Sequence, residues 1–241
     1  MPPSASSTRL DPEPNGVRVR MLRAARLLFA EKGYRATTTK EISSAAGVAE
    51  PTIFRHFGAK ADLFEATILE PFTEFISQWT RTWDDFPSDG SVEDLAENLV
   101  SGLFHLVRRD RRLFGELIAA RTDPASDLHT SAVAISTQLR GGLRAVHDVG
   151  LDIAGSRGLR GLDAPATIGA LAGMVLGSVL LEDWIYPAGV ENPDEDRIVR
   201  EMTSMIYNGI AHRPAGENSI DHAPADHSSA DHASVDHIDG A

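Results

Sequence analysis

The sequence predicts an all-α protein: a small N-terminal three-helix unit followed by a larger helical body. Two observations predict it. Apolar residues recur at three- and four-residue spacing from Val17 to Ile210, and no run alternates with the period of two that a half-buried strand needs. Residues 37–60, T-T-T-K-E-I-S-S-A-A-G-V-A-E-P-T-I-F-R-H-F-G-A-K, read as two short helices hinged on one glycine.

In chain order, residues 1–14 form a polar, proline-rich leader without an apolar core, expected to be disordered and not a secretory signal. A first helix is expected from Val17 to Lys32, with Met21, Leu22, Ala25, Leu28 and Phe29 on one face and Gly33 ending it. Thr38 stands three residues before Glu41, the spacing at which a side-chain oxygen and a carboxylate cap a helix start reciprocally. Gly47 follows that helix, where a left-handed residue is easiest for glycine. Pro51 suits the first turn of the next helix, whose N–H has no intrahelical partner anyway. Ile53 and Phe57, four apart, face inward. Arg55 lies opposite them with Pro51 one turn earlier, flanked by Thr52 and Phe54, and Glu50 and His56 complete the outward surface. A small helix anchored on two apolar residues and showing Arg, Thr and His has the size and chemistry to enter a DNA major groove.

The stretch A-T-T-T-K-E-I-S-S-A-A-G-V-A-E-P-T-I-F-R-H-F-G-A-K-A-D-L, preceded by M-L-R-A-A-R-L-L-F-A-E-K-G-Y, resembles the helix-turn-helix of TetR (tetracycline-repressor-like) transcriptional regulators over residues 17 to 65. The resemblance implies a DNA-binding domain over 15–75 and a ligand-binding and dimerisation domain over 76–212. It implies a cytoplasmic homodimer, usually a repressor, released from double-stranded operator DNA by a small-molecule effector and using no cofactor. It places Thr38 and Lys60 on backbone phosphate, and Lys40, Glu50, Pro51, Thr52, Phe54, Arg55 and His56 at the DNA surface. Two departures stand out. Phe54 replaces a usual Tyr and its hydroxyl, and Ala59 replaces a usual Ser or Asn cap before Lys60. Two rivals stay open: a helical small-molecule carrier without DNA binding, and an all-α enzyme.

Charge divides the chain in the same place. Residues 16–60 hold nine basic and three acidic side chains, a net +6, whereas residues 61–241 hold 13 basic and 30 acidic ones, a net −17. A basic unit on an acidic body concentrates attraction to phosphate at one end. Cysteine is absent, which excludes disulfides and thiolate metal sites.

Beyond Lys60 one long helix is expected to carry Leu63, Phe64, Ile68, Leu69, Phe72, Ile76, Trp79 and Trp83, with Pro71 kinking or splitting it. A turn at 87–90 and a helix from Val92 to Arg108 follow. Asp110 is expected to cap the next helix, and Arg108 and Arg109 to face the negative end of the previous one. Another helix is expected over 126–149, then a glycine-rich loop over 155–161 that matches no phosphate-binding template. The 18 uncharged residues from Ala164 to Leu181 contain Gly169, Gly173 and Gly177 and are bracketed by Asp163 and Glu182. They read as a helix with a close-packed glycine seam at a dimer interface and not as a membrane span. The last helix begins at 192–194. Phe104, His105, Arg121 and Trp184 are the aromatic and polar body residues offered as effector contacts. In the tail, 213–241, Asp-His recurs every five residues. That step turns a helix by about 140°, so no face collects the His. The tail reads as low-complexity disorder and not as a metal site. No hydrolase, metalloprotease, P-loop or dinucleotide motif is present, and no enzyme activity is expected.

Overall fold

The computed structural model describes residues 14–84, 87, 90–158 and 162–211; the expected leader and Asp-His tail lie outside them. Ten helices and no strand are found among the described residues: α1 Pro14–Lys32, α2 Thr39–Ala46, α3 Glu50–Phe57, α4 Lys60–Asp84, α5 Val92–Arg109, α6 Arg111–Thr122, α7 His129–Arg157, α8 Ala164–Leu180, α9 Glu182–Ile185 and α10 Glu195–Ala211. No helix among them is long and apolar enough to cross a membrane.

α1 packs on α2 and α4 to make the head. In the body α4 lies along α7, and α5 lies along α8 and α10. Head and body share one core. Phe29 and Phe64 meet edge-on, 5.3 Å apart, and Tyr34 meets Phe64 at the same distance. Phe29, Ile42, Ile53, Leu63 and Phe64 have no exposed surface. Such burial is the main favourable term in a helix assembly, each large side chain contributing about 1.5–3 kcal/mol.

Several boundaries differ from the expectation. α4 is neither split nor ended at Pro71, so the expected domain boundary at 75/76 falls inside a continuous 25-residue helix. The proline leaves the carbonyl of Thr67 without its helix donor. The apolar neighbours Ile68, Leu69 and Phe72 are buried and hold the helix across that gap. α7 runs eight residues past its expected end at 149, so Gly155, Ser156 and Arg157 are its last turn and not a loop; Gly158, at φ 65°, is the C-cap. α9 went unforeseen because four residues carry no periodicity.

Asp110 does not cap α6 with its side chain. It is buried, with a side chain only 3% exposed, and accepts from Arg26 Nε of α1 at 2.6 Å. Arg108 reaches not its own helix end but Glu182 and Glu195, 3.0 Å from the latter, and Arg111 joins Glu182 and Asp183. Apart from Arg109, which pairs with the adjacent Asp110, the arginines of the run at 108–112 tie helices together where a local cap and helix-end pairing are expected from the sequence.

The glycine seam is not closed within the protomer. A Cβ built at Gly169, Gly173 or Gly177 meets no atom within 4 Å. Within the body helices, Gly102 of α5 admits the Phe75 ring and Gly142 of α7 admits Phe72.

Candidate nucleic-acid interface and the body behind it

The turn between α2 and α3 is built from short-range bonds. Glu41 N–H donates to Thr38 Oγ1 at 3.1 Å, and Thr38 N–H donates back to the Glu41 carboxylate at 2.9 Å. Lys32 Nζ sits 2.7 Å from the same carboxylate. The Lys32 ammonium first, and then the Thr38 N–H, draw the Glu41 carboxyl down to about 2. Gly47 takes φ 66°, ψ 41°, the left-handed cap, and Val48 N–H returns to the Ser43 carbonyl at 3.0 Å. From α1, Arg20 Nε donates to the Ala46 carbonyl at 3.2 Å and so closes the end of α2.

α3 sits on Ile53, fully buried, and on half-buried Phe57, whose ring lies 5.0 Å below the Arg18 guanidinium. Opposite this anchor Pro51, Phe54 and Arg55 are exposed, while Thr52 and His56 are half-buried at its flanks. Phe54 is 47% exposed, a large apolar ring left about half uncovered in the protomer. Thr38 and Lys40 are exposed at the start of α2.

Two of the candidate residues are engaged elsewhere. The Glu50 carboxylate accepts a hydrogen bond from the Thr39 hydroxyl, a clasp between the starts of α2 and α3. One of its carboxylate oxygens is therefore already occupied within the protomer. Lys60, at the first residue of α4, holds its ammonium 4.1 Å from the centre of the Tyr34 ring, and loss of water there pulls its pKa down. The cap missing at Ala59 is supplied from the other side, because Ala59 N–H donates to Asp62 Oδ2 at 2.9 Å.

The sequence reading missed Thr39, Arg18 and Arg20. The clue for Thr39 was the T-T-T run itself, in which one hydroxyl caps α2 and the next is free to bridge. Nothing in the sequence pointed Arg18 at Phe57.

The four body residues offered as effector contacts do not converge. Phe104 is buried and meets His105 edge-on at 5.8 Å, whereas His105 and Arg121 are exposed and Trp184 is 83% exposed. His105 Nδ1 lies 2.7 Å from the Ser101 carbonyl of its own helix. The apolar cavity of the body, between α4, α5, α7, α8 and α10, is lined by none of the four. No cluster of metal-ligating side chains occurs among the described residues.

The family model for bacterial regulatory proteins of the tetR family matches residues 21–67. The regulator YvkB of Bacillus subtilis, named as an HTH-type transcriptional regulator, is 57% identical over 51 residues, 21% of this chain and 27% of that protein. The biofilm operon negative transcriptional regulator IcaR of Staphylococcus epidermidis is 26% identical over 121 residues, 50% of this chain and 64% of that protein. The chain thus spans from about a quarter to just under two-thirds of these relatives' length.

Solved structures extend the likeness to the body. The fatty acid degradation regulator FadR of Bacillus halodurans superposes with a TM-score of 0.60 at 22% identity, covering 82% of this chain and 97% of that one. FadR of Bacillus subtilis, solved in complex with stearoyl-CoA, gives 0.59 at 20% over 80% and 97%. AibR, solved with isovaleryl coenzyme A and operator DNA, gives 0.54 at 19% over 78% and 97%. At such identities these neighbours establish the shared all-helical fold.

Proposed function

We propose, from the premise that this chain belongs to the TetR family through its N-terminal domain, that it is a sequence-specific DNA-binding transcriptional regulator, a repressor released from its operator by a small molecule. The observation that carries this reading is the outward face of α3. Arg55 stands exposed between Pro51 and Phe54, opposite the Ile53–Phe57 anchor, on a segment of net charge +6. A guanidinium so placed can donate two bonds to guanine O6 and N7, the commonest specific contact in the major groove. Thr38 and Lys60 are assigned to backbone phosphate, with Lys40 approaching the reading surface from α2.

The proposed division keeps residues 15–75 as the reading head and 76–212 as the body, with α4 belonging to both. A homodimer presents two copies of α3. We assign its interface to α8 and α10, where a Cβ at Gly169 or Gly173 meets no atom within 4 Å and Met205 is 57% exposed. The body's effector shifts the population toward a spacing of the two α3 helices that no longer matches the half-sites. The role is regulatory and not enzymatic, and it is exercised in the cytoplasm.

The test is a binding selection on randomised double-stranded DNA with the full chain and with Arg55→Ala. The expected result is a two-fold symmetric site for the parent. The variant should lose about 1–3 kcal/mol and its preference at one position per half-site. Uniform weakening with unchanged preference would make Arg55 a phosphate clamp. Absence of binding by the parent at low salt would leave a small-molecule carrier.

A further inference from the structure

The exposed residues of α3 are Pro51, Phe54 and Arg55. They stand at i, i+3 and i+4, which is one face of a helix. Of the three side chains, Arg55 alone can form hydrogen bonds; Pro51 and Phe54 carry no polar side-chain atom. A single exposed apolar ring is ordinary on a protein surface. Phe54 differs in its place, since it stands 47% exposed on the open face of α3, next to the guanidinium assigned to a base. The head holds it there. Ile53 beside it is fully buried, and the Gly58 N–H donates to the Phe54 carbonyl at 2.9 Å. The Thr39 hydroxyl ties down Glu50 at the start of the same helix.

The chemistry of the major groove narrows what such a ring can meet. Adenine, guanine and cytosine are told apart there by donors and acceptors, for which a phenyl ring has no partner atom. Thymine adds its C5 methyl, the one apolar substituent on offer. Phosphate oxygens likewise give a ring without a hydroxyl nothing to bond. We propose that Phe54 is a specificity-determining residue that packs on the C5 methyl group of a pyrimidine, a thymine beside the guanine read by Arg55. The proposal rests on the reading of α3 as the helix that enters the groove, and it adds a base feature recognised by shape and not by hydrogen bonds. Burial of one methyl group is worth about fourfold in affinity per half-site. The methyl of 5-methylcytosine occupies the same ring position. The contact therefore also makes binding sensitive to cytosine methylation at that position.

The experiment starts from the double-stranded site that the full chain selects from randomised DNA. Each thymine of that site is replaced in turn by deoxyuridine, which removes the methyl and keeps every hydrogen-bonding group. Affinity is measured at one fixed salt concentration for the parent, Phe54→Ala and Phe54→Leu. Thermal unfolding checks that both variants fold, as a half-exposed position allows. In the parent, uridine should cost about fourfold at one thymine per half-site. That thymine should lie within about two base pairs of the guanine whose preference Arg55→Ala removes, because the two side chains are neighbours and base pairs are 3.4 Å apart. Phe54→Ala should bind more weakly and treat thymine and uridine alike. Phe54→Leu, which keeps an apolar side chain, should retain a penalty. Cytosine placed at the same position should bind weakly in the parent, and 5-methylcytosine about fourfold more tightly; Phe54→Ala should not tell them apart. A parent indifferent to uridine at every thymine, a selected half-site with no thymine near that guanine, or a penalty undiminished in Phe54→Ala would overturn the proposal. The function it rests on fails in a different way. A parent that binds its selected site and tolerates uridine throughout keeps the regulator reading and loses the methyl contact. A parent that binds no DNA at low salt removes both.

Discussion

In the head, the polar bonds that set the shape join near neighbours: Thr38 to Glu41 three residues on, Lys32 to Glu41 across nine, Thr39 to Glu50 across eleven. In the body they join residues far apart in the chain: Arg108 to Glu182 across 74 positions and to Glu195 across 87. Helix approach follows the same division. Phe72 and Phe75 of α4 enter the body because Gly142 and Gly102 lack a Cβ, contacts between helices distant in sequence. The head is therefore a local construction that can hold the same small surface while other parts vary. The body is defined by which helices meet, so its cavity and its ion pairs can be rebuilt without changing the head. This is the physical sense in which a reading unit and a sensing unit can be combined in one chain.

The two regions meet at few polar points, of which Arg26–Asp110 is the most buried. Arg26→Ala should have the largest effect, about 3 kcal/mol, because it leaves a carboxylate with a 3%-exposed side chain facing only Arg109, 3.3 Å away. The exposed pair Arg144–Asp148 is the control, with side chains 73% and 55% exposed; Arg144→Ala should change stability far less than Arg26→Ala, because water and salt screen the pair. Burial pushes the Asp110 carboxyl up, and the Arg26 bond works against that. Without Arg26 the value rises further. A raised carboxyl favours folding below its unfolded pKa and loses that contribution as pH rises through the folded value. The deficit of Arg26→Ala should thus be smallest in acid and grow toward neutral pH. Chemical denaturation of both variants at several pH values measures it. Equal deficits in the two would mean that the head–body link is no stronger than a surface pair.

Next in size is a pair of glycine substitutions. Gly142→Leu should lose about 1–3 kcal/mol, since the new side chain meets the Phe72 ring in a filled core. Gly173→Leu should leave protomer folding intact, because its Cβ direction is open, and should instead abolish dimers if α8 forms their interface. Sedimentation and thermal unfolding together separate the outcomes. A normal dimer in Gly173→Leu removes α8 from the interface.

This pair also shows how far the sequence was legible. Four-residue spacing identified Gly169, Gly173 and Gly177, because a repeat within one helix is visible in a single chain. Gly102 and Gly142 show no pattern until α4 is laid against them. The head was legible for the same reason: Thr38, Gly47, Pro51 and the Ile53–Phe57 anchor all lie within one twenty-residue stretch and obey short-range rules. Where a head side chain reaches across, the sequence was silent. The Arg18–Phe57 and Lys60–Tyr34 stackings and the Glu50 clasp could not be read from spacing. Of the effector contacts chosen by residue type, Arg121 and Trp184 lie on the surface, since residue type does not reveal which face of a helix is turned inward.

The smallest expected effect tests the head's local construction on its own terms. Thr38→Ala removes the acceptor of the Glu41 N–H and should cost about 1 kcal/mol, the usual worth of a helix N-cap. The same box carries a pH signature. The Glu41 carboxyl is held at about 2, against an ordinary 4.5, by Lys32 and then by Thr38. A depressed carboxyl contributes stability above its unfolded value and loses it as pH falls through the folded one, so the window lies between 4.5 and about 2. Glu41 is half-exposed and borders solvent, so salt should shrink this contribution, whereas the Thr38 cap should survive salt. Hydrogen exchange of the α2 amides, followed down through that window, should show protection falling more steeply in the parent than in Glu41→Gln. Added salt should bring the two profiles together. Identical acid profiles at low salt would mean that the carboxylate is a bystander, and that Thr38 and Gly47 alone fix the ends of α2.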